Sequence, residues 1–186
     1  IRHLDLGGGL GVPYKPADTA PVIRDVVAAI RQKVQGRNLT VIVEPGRSIV
    51  GEAGTLLTRV LYRKQTPRKE FVVVDAAMND LIRPALYQSH HEIVTVQEPQ
   101  SSDTTLADVV GPICETGDFL ARDRQLPAVS PGDLLALSTA GAYGFVQSSN
   151  YNSRPRVPEV LVEDGSWRFI RRRETVEDLI RGESAQ

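Results

Sequence analysis

The sequence predicts an α/β unit followed by an all-β unit: the last strands of a (β/α)8 barrel joined to a C-terminal β-barrel-like domain. Apolar strands alternate with a helix up to residue 54, and short strand-like runs separated by turn residues dominate from residue 55 onward. A complete barrel needs about 250 residues, so the first unit holds only part of one. We expect units at 1–54 and 55–186, with the final helix returning toward the barrel.

The first unit has the order strand, helix, strand. Residues 1–6 form a short apolar run that ends in the glycine run 7–9, which is typical of a buried parallel strand followed by a loop. Asp18 precedes an apolar pattern at helical spacing, and Gly36 ends it, so we predict a helix between them. Residues 39–43 form a second buried strand that also ends in a glycine turn. Binding groups gather at the carboxyl ends of such strands, where both glycine loops lie.

The second unit consists mainly of predicted strands. They lie at 56–62, 70–74, 92–96, 133–137, 157–162 and 167–171. Asp164 and Gly165 predict a tight hairpin between the last two strands. The predicted helical segments are short, at 81–87, near 140–145 and at 175–180.

Composition argues against several classes of function. The formal net charge is -1, whereas domains whose main partner is nucleic acid are usually strongly basic. No apolar run approaches the ~20 residues of a membrane span, and no signal peptide opens the chain. Cys114 is the single cysteine, so an internal disulfide is impossible and we expect a reducing cytoplasm.

Two glycine turns and an arginine suggest an anion site. The glycine run 7–9 leaves backbone N–H groups uncovered, so a phosphate can approach closely. Arg47 follows Gly46 in a turn that begins at Glu44, and its guanidinium can bind a carboxylate or phosphate through two hydrogen bonds. The alternatives are a flexible strand-to-helix turn for the glycines and a structural Glu44–Arg47 ion pair.

Arg83 and Tyr87 are four residues apart in a predicted short helix, so they share one face. That face can present a guanidinium and a phenol to an anionic group, although a solvated helix face is the more common explanation. Tyr143, flanked by small residues, has a phenol suited to a phosphate oxygen. Alternatively, Tyr143 is an aromatic side chain that fills the core.

Cys114 precedes Glu115 in a loop that contains glycine on both sides. A free thiol is mostly protonated at neutral pH and can donate a proton, although most buried cysteines are inert. The three histidines show no ligand spacing with other histidines, cysteines or carboxylates, so we assign no metal site. These histidines are His3, His90 and His91.

The motifs fall in one order along nearly the whole chain. They are LDLGGGLG at 4–11, EPGR at 44–47, MNDLIRPALY at 78–87, GPICETGD at 111–118, AGAYG at 140–144, SNYNSR at 149–154 and RRRET at 171–175. In this order they resemble the diaminopimelate decarboxylases, a family of pyridoxal-phosphate enzymes with an alanine-racemase-like barrel. The resemblance implies decarboxylation of meso-2,6-diaminopimelate to L-lysine, in lysine biosynthesis, by a cytoplasmic homodimer.

The resemblance also implies roles for individual residues. Pyridoxal 5'-phosphate would bind through Gly7, Gly8, Gly9, Glu44, Pro45, Gly46, Arg47 and Tyr143. The distal carboxylate and amine of the substrate would bind Arg47, Arg83, Tyr87, Glu115 and Tyr143. Cys114 would be the catalytic proton donor, reaching with Glu115 across a dimer interface into the partner's site.

The sequence departs from the family pattern in two places. Ala77 stands where the family usually has glycine. The cofactor-bearing lysine and a ring-stacking histidine lie in the first half of family members, and no lysine here has such a context. The four lysines are Lys15, Lys33, Lys64 and Lys69. Because the chain also begins at Ile1 rather than Met, we expect an incomplete chain that is inactive alone.

Two other functions stay open at this point. One is a related decarboxylase that acts on arginine, ornithine or a carboxylated polyamine. Ornithine decarboxylases share the barrel, but their thiol is followed by Asp, whereas Glu115 follows it here. The Arg83–Tyr87 helix favours diaminopimelate. The other function is a non-catalytic regulatory homologue, which should have decayed cofactor loops.

Overall fold

The computed structural model describes residues 1–99 and 101–184. Its N-terminal part is a strand, a helix and a strand, followed by a short helix. Their bounds are β1 (His3–Asp5), α1 (Ile23–Val34), β2 (Thr40–Ile42) and α2 (Gly46–Val50). Strands β1 and β2 pair in parallel, so the predicted strand, helix, strand order is confirmed.

Two details of this part differ from the prediction. Helix α1 begins after Val22 rather than at Asp18, because the Asp18 carboxylate holds a separate turn. It accepts hydrogen bonds from the backbone N–H groups of Tyr14 and Lys15, both at 3.0 Å. The strands expected to be buried are exposed or half-buried, and α1 has no buried residue, because nothing else in the described residues covers them.

The second part is a mixed six-stranded sheet in the order β5-β8-β3-β4-β6-β7. The strands are β3 (Leu56–Gln65), β4 (Glu70–Val74), β5 (Ile93–Thr95), β6 (Thr104–Val110), β7 (Phe119–Pro127) and β8 (Leu134–Leu137). Strands β4 and β6 are parallel, and the other neighbours are antiparallel. The edge strands β5 and β7 contact each other, so the sheet is nearly closed, as the barrel-like prediction requires.

Strands β6 and β7 were not predicted, because both carry charged residues inside the strand. The structure shows how these charges are accommodated. The ammonium group of Lys69 donates hydrogen bonds of 2.9 Å to both carboxylate oxygens of Asp108 on β6. Asp108 also accepts a 2.7 Å hydrogen bond from the backbone N–H of Asp123 on β7. Asp123 has φ 47° at an irregularity in strand register.

The hydrophobic core lies inside the curled sheet. Its larger members are Val60, Val72, Val74, Leu81, Ile93, Val109, Leu120, Leu126, Leu135 and Leu137. Helix α3 (Arg83–Tyr87) packs against β7 at one end of this core. Pro84 lies in its first turn, where its missing backbone N–H removes no hydrogen bond within the helix.

The C-terminal part begins with two short 3-10 helices, Phe145–Gln147 and Tyr151–Ser153. The hairpin of β9 (Glu159–Glu163) and β10 (Ser166–Arg171) follows, and then α4 (Val176–Leu179). The predicted hairpin turn is confirmed, since Asp164 and Gly165 have φ of 49° and 75°. Among the described helices, none has the length and apolar character needed to cross a membrane. Residue 100 and the last two residues of the predicted 55–186 unit lie outside the described residues.

Candidate active site

The glycine loop after β1 and the turn after β2 lie side by side. The backbone N–H of Glu44 donates a 2.8 Å hydrogen bond to the Gly7 carbonyl. A β-carbon on Gly8 would lie 2.6 Å from the Glu44 carbonyl oxygen, so only glycine allows this approach. Gly7 and Gly9 have φ of 69° and 90°, which favours glycine. The two turns therefore form one continuous backbone surface.

The N–H groups of Gly8 and Gly9 are available to a ligand. Within residues 1–99 and 101–184 neither donates a hydrogen bond, whereas the N–H of Gly7 donates to Asp5 Oδ1 at 2.8 Å. The space beside Gly9 is open, with no heavy atom within 4 Å of a β-carbon position. Uncommitted N–H groups in an open glycine loop fit a phosphate group.

The turn that carries Arg47 is held by its own backbone. The N–H of Gly46 donates to the Glu44 carbonyl at 2.9 Å. The Ser48 hydroxyl donates to the Pro45 carbonyl, also at 2.9 Å. Arg47 consequently projects from a fixed turn next to the glycine loop.

Arg47 and Arg83 share one aromatic neighbour, Tyr143. The centre of the Tyr143 ring lies 5.6 Å from the guanidinium carbon of Arg47 and 6.0 Å from that of Arg83. Arg83 is only 5% exposed, and Tyr143 is 42% exposed. In the part of the chain that the structure describes, neither arginine forms an ion pair, so the alternative Glu44–Arg47 pair is not formed. Two positive charges thus converge without a protein carboxylate to neutralise them.

The loop that carries Tyr143 packs tightly against the end of α2. The N–H of Gly141 donates to the Gly51 carbonyl at 3.0 Å. A β-carbon on Gly141 would lie 1.9 Å from the Val50 carbonyl oxygen, so this contact needs glycine. Tyr143 itself has φ 62°, an uncommon conformation for a non-glycine residue and one found at functional sites. This contact brings Tyr143 beside Arg47.

Two residues that the sequence analysis did not assign to the site hold Arg83. Its Nη1 group donates to the Tyr14 hydroxyl at 3.0 Å and lies 3.1 Å from Nε2 of His91. His91 is fully buried, and its Nδ1 lies 3.0 Å from the Ser138 carbonyl oxygen. Burial, with a smaller effect of the Arg83 charge, lowers the pKa of His91 to about 4. We name Arg47, Arg83, Tyr143, Tyr14 and His91 the arginine cluster.

Tyr87 occupies a different environment from Arg83. It ends α3 and is 60% exposed, whereas Arg83 begins the helix and is buried. A spacing of four residues places both on one side of the helix, but the first turn faces the core and the last faces solvent.

Cys114 and Glu115 lie on an exposed loop between β6 and β7, which we name the thiol loop (residues 111–118). The buried carboxylate of Asp118 fixes this loop. Its oxygens accept hydrogen bonds from the backbone N–H of Ile113 at 2.6 Å and of Met78 at 2.8 Å. The second bond ties the thiol loop to the segment that leads into α3.

The thiol loop and the arginine cluster are not joined by hydrogen bonds in the part of the chain that the structure describes. Among the described residues, no hydrogen bond or ring contact joins Cys114 or Glu115 to the members of the arginine cluster. Glu115 instead accepts hydrogen bonds from the Tyr151 hydroxyl at 3.5 Å and from the Gly117 N–H at 3.1 Å. The chain therefore presents two separate groups of candidate site residues.

Comparisons with known proteins give a consistent result. The sequence model of the family described as "Pyridoxal-dependent decarboxylase, C-terminal sheet domain" matches residues 17–141. Diaminopimelate decarboxylase of Pseudomonas aeruginosa is 59% identical over 184 residues, which are 99% of this chain and 44% of that protein. The enzyme of the same name from Aquifex aeolicus is 49% identical over 180 residues, covering 97% of this chain and 43% of that protein.

A solved structure extends the comparison. The crystal structure of diaminopimelate decarboxylase from Helicobacter pylori complexed with L-lysine superposes with a TM-score of 0.90 at 46% identity, covering 98% of this chain and 44% of that one. The chain spans less than half the length of these relatives. On the family match and the shared fold, the chain belongs to the pyridoxal-dependent decarboxylases that carry this C-terminal sheet domain.

Proposed function

We propose that this chain is part of an enzyme that decarboxylates meso-2,6-diaminopimelate to L-lysine with pyridoxal 5'-phosphate. The observation that carries the proposal is the convergence of Arg47 and Arg83 on the Tyr143 ring without a protein carboxylate among the described residues. Two guanidinium groups beside one ring, with no carboxylate of the described residues to balance them, favour the binding of an anion there. The named relatives are diaminopimelate decarboxylases, and the Helicobacter enzyme is complexed with L-lysine.

The glycine loop is the proposed site for the cofactor phosphate. The N–H groups of Gly8 and Gly9, which have no acceptor among the described residues, and the guanidinium of Arg47 supply hydrogen-bond donors there. The Tyr143 hydroxyl adds a further one. When bound, pyridoxal phosphate supplies a ring that accepts the electron pair left by departing carbon dioxide. The resemblance places the lysine that carries the cofactor outside this chain.

The arginine cluster is the proposed site for the distal end of the substrate. That end bears a carboxylate and an amine, so it offers one negative group to Arg47 and Arg83 and one positive group to Glu115. Tyr87 would bind the same distal end of the substrate. A substrate that ends in a bare amine would place an ammonium beside two guanidinium groups, and the resulting repulsion favours diaminopimelate over ornithine.

Cys114 is the proposed proton donor to the substrate carbon after decarboxylation. General-acid catalysis of this kind typically contributes about 10²–10⁴-fold. Because no hydrogen bond or ring contact among the described residues joins Cys114 or Glu115 to the arginine cluster of the same chain, we propose that both act in the site of a partner subunit. The exposure of both residues supports this arrangement.

The proposal also includes the division of the chain into two domains and its cellular location. The division into a barrel part at 1–54 and a sheet domain at 55–186 agrees with the change from a parallel strand pair to the mixed sheet. A cytoplasmic location agrees with a free, exposed thiol.

Variants of the cofactor-loaded enzyme test the proposed roles of the arginine cluster and of the thiol loop. Arg83→Gln and Cys114→Ala should each lower carbon dioxide release from diaminopimelate, by about 100-fold or more in kcat/KM. Arg168→Gln on the exposed strand β10 is the matched control and should behave like the native enzyme. Native activity in Arg83→Gln would contradict the proposal.

Mixing the two inactive variants then tests whether the thiol acts across the interface. A mixed dimer holds one site with both Arg83 and the partner's intact thiol, so random mixing should recover about a quarter of native activity. If both residues act within one subunit, no mixed dimer has an intact site, and the mixture stays inactive.

A further inference from the structure

The guanidinium of Arg83 is held by the protein at one nitrogen. Its Nη1 group donates to the Tyr14 hydroxyl at 3.0 Å and to His91 Nε2 at 3.1 Å. In residues 1–99 and 101–184, Nη2 and Nε of Arg83 donate no hydrogen bond to another side chain. The side of the fork that can bind a carboxylate through two parallel hydrogen bonds is thus left available.

The structure fixes which nitrogen of His91 carries the proton. A carbonyl oxygen only accepts, so the 3.0 Å contact with Ser138 requires a proton on Nδ1. Nε2 of the neutral ring then accepts from Arg83. The ring of Tyr14 meets the His91 ring edge-on at 5.5 Å, which limits rotation of the imidazole.

The groups around His91 keep it neutral. Arg83 faces it from α3, and Arg124 on β7 donates to the His91 carbonyl at 2.8 Å. The Arg124 Nη2 group lies 3.0 Å from Nδ1 of the neighbouring His90, which contacts Glu92 at 3.0 Å. Two guanidinium groups therefore lie near the buried ring, and both oppose a positive charge on it.

We propose that His91 is a positioning residue that orients Arg83 for the distal carboxylate of the ligand and thereby favours ligands that carry this carboxylate. The inference rests on the proposed function. A carboxylate in place of His91 would also hold Arg83, but it would neutralise the guanidinium and compete with the ligand. A neutral acceptor fixes the geometry and leaves the positive charge for the ligand.

Binding of two ligands to the cofactor-loaded enzyme tests this role. L-lysine carries the carboxylate, and cadaverine is the same diamine chain without it. Calorimetry should show that His91→Leu raises the Kd for L-lysine about 10-fold and leaves the Kd for cadaverine within about 2-fold. His91→Gln, whose amide oxygen can accept from Nη1, should retain most of the native preference for L-lysine. His90→Gln is the matched control for a histidine change at the adjacent position and should match the native enzyme.

Each outcome bears on the inference. Equal weakening of both ligands in His91→Leu would show a general structural effect and overturn the positioning role. If His91→Leu does not fold, loss of the L-lysine preference in a folded His91→Gln overturns it as well. A native enzyme without any preference for L-lysine would overturn the proposed function together with this role, whereas a native preference that survives in His91→Leu would overturn this role alone.

Discussion

Asp118 is a buried carboxylate whose two oxygens both accept backbone hydrogen bonds, from Ile113 and Met78. Burial raises its pKa, and the two hydrogen bonds offset only part of that rise. A raised carboxyl pKa means that the native state holds a proton more readily than the unfolded state. Stability is therefore lost as pH rises from about 3.9 through the native pKa. The charged form at neutral pH costs stability but fixes the thiol loop.

Asp118→Asn should loosen the thiol loop without unfolding the protein. The amide presents an NH₂ group to one of the two backbone N–H donors, so one hydrogen bond is lost. We expect hydrogen exchange at Ile113 or Met78 to be faster by about 10-fold, as for the loss of one hydrogen bond of 1–2 kcal/mol. Asp133→Asn is the control, because Asp133 accepts from the backbone N–H of Ser130 in another turn. Unchanged exchange at both amides would contradict this role of Asp118.

Part of the arginine cluster could be predicted from single residues. Arg47, Arg83 and Tyr143 were chosen for chemistry and motif, and the structure brings them together. Tyr14 and His91 could not be predicted in the same way, because the sequence around His91 shows no ligand spacing and Tyr14 lies far from Arg83 along the chain. Tyr14 meets Arg83 across 69 positions of sequence, and no local spacing carries such a contact. Only the fold shows that His91, two residues before β5, is fully buried beside Arg83.

At the scale of elements, the contact between the Tyr143 loop and α2 depends on Gly141. The Val50 carbonyl would lie 1.9 Å from a β-carbon at this position, and backbone cannot move aside as a flexible side chain can. Arg47 belongs to the same short helix as Val50. The distance between Arg47 and Tyr143 is therefore set by backbone packing.

Gly141→Ala should displace the Tyr143 loop. We expect the free energy of unfolding to fall by about 1–3 kcal/mol, as for other overpacked sites, and carbon dioxide release to fall with it. Thermal unfolding and activity measure the two effects. Gly182→Ala is a suitable control, because no heavy atom lies within 4 Å of its β-carbon position. A Gly141→Ala enzyme with native stability and activity would show that the contact is not needed.

Elements with strong local signals were predicted well, and those set by long-range pairing were not. The β9–β10 hairpin follows from turn chemistry at Asp164 and Gly165. Strand β6 pairs in parallel with β4, and its charge at Asp108 is balanced by Lys69, 39 positions away. Sequence alternation cannot show that a charge in a strand has a distant partner.

At the scale of the whole molecule, the two parts of the chain differ in the extent of their buried hydrophobic core. The six-stranded sheet encloses its own hydrophobic core. The N-terminal part has exposed apolar residues on α1 and α2, such as Ile23, Val27 and Ile49. We propose that these apolar residues pack against further strands of a barrel.

Carbon dioxide release by the cofactor-loaded enzyme from meso-diaminopimelate, L-ornithine and L-arginine, measured in parallel, tests the central claim most directly. Arg47 and Arg83 both lie beside Tyr143 and form no ion pair among the described residues, which predicts release from diaminopimelate and little from the two substrates whose distal ends carry no carboxylate. Release from ornithine or arginine at a comparable kcat/KM would contradict the assignment of the arginine cluster to a distal carboxylate. No release from any of the three, with cofactor bound, would contradict the decarboxylase proposal itself.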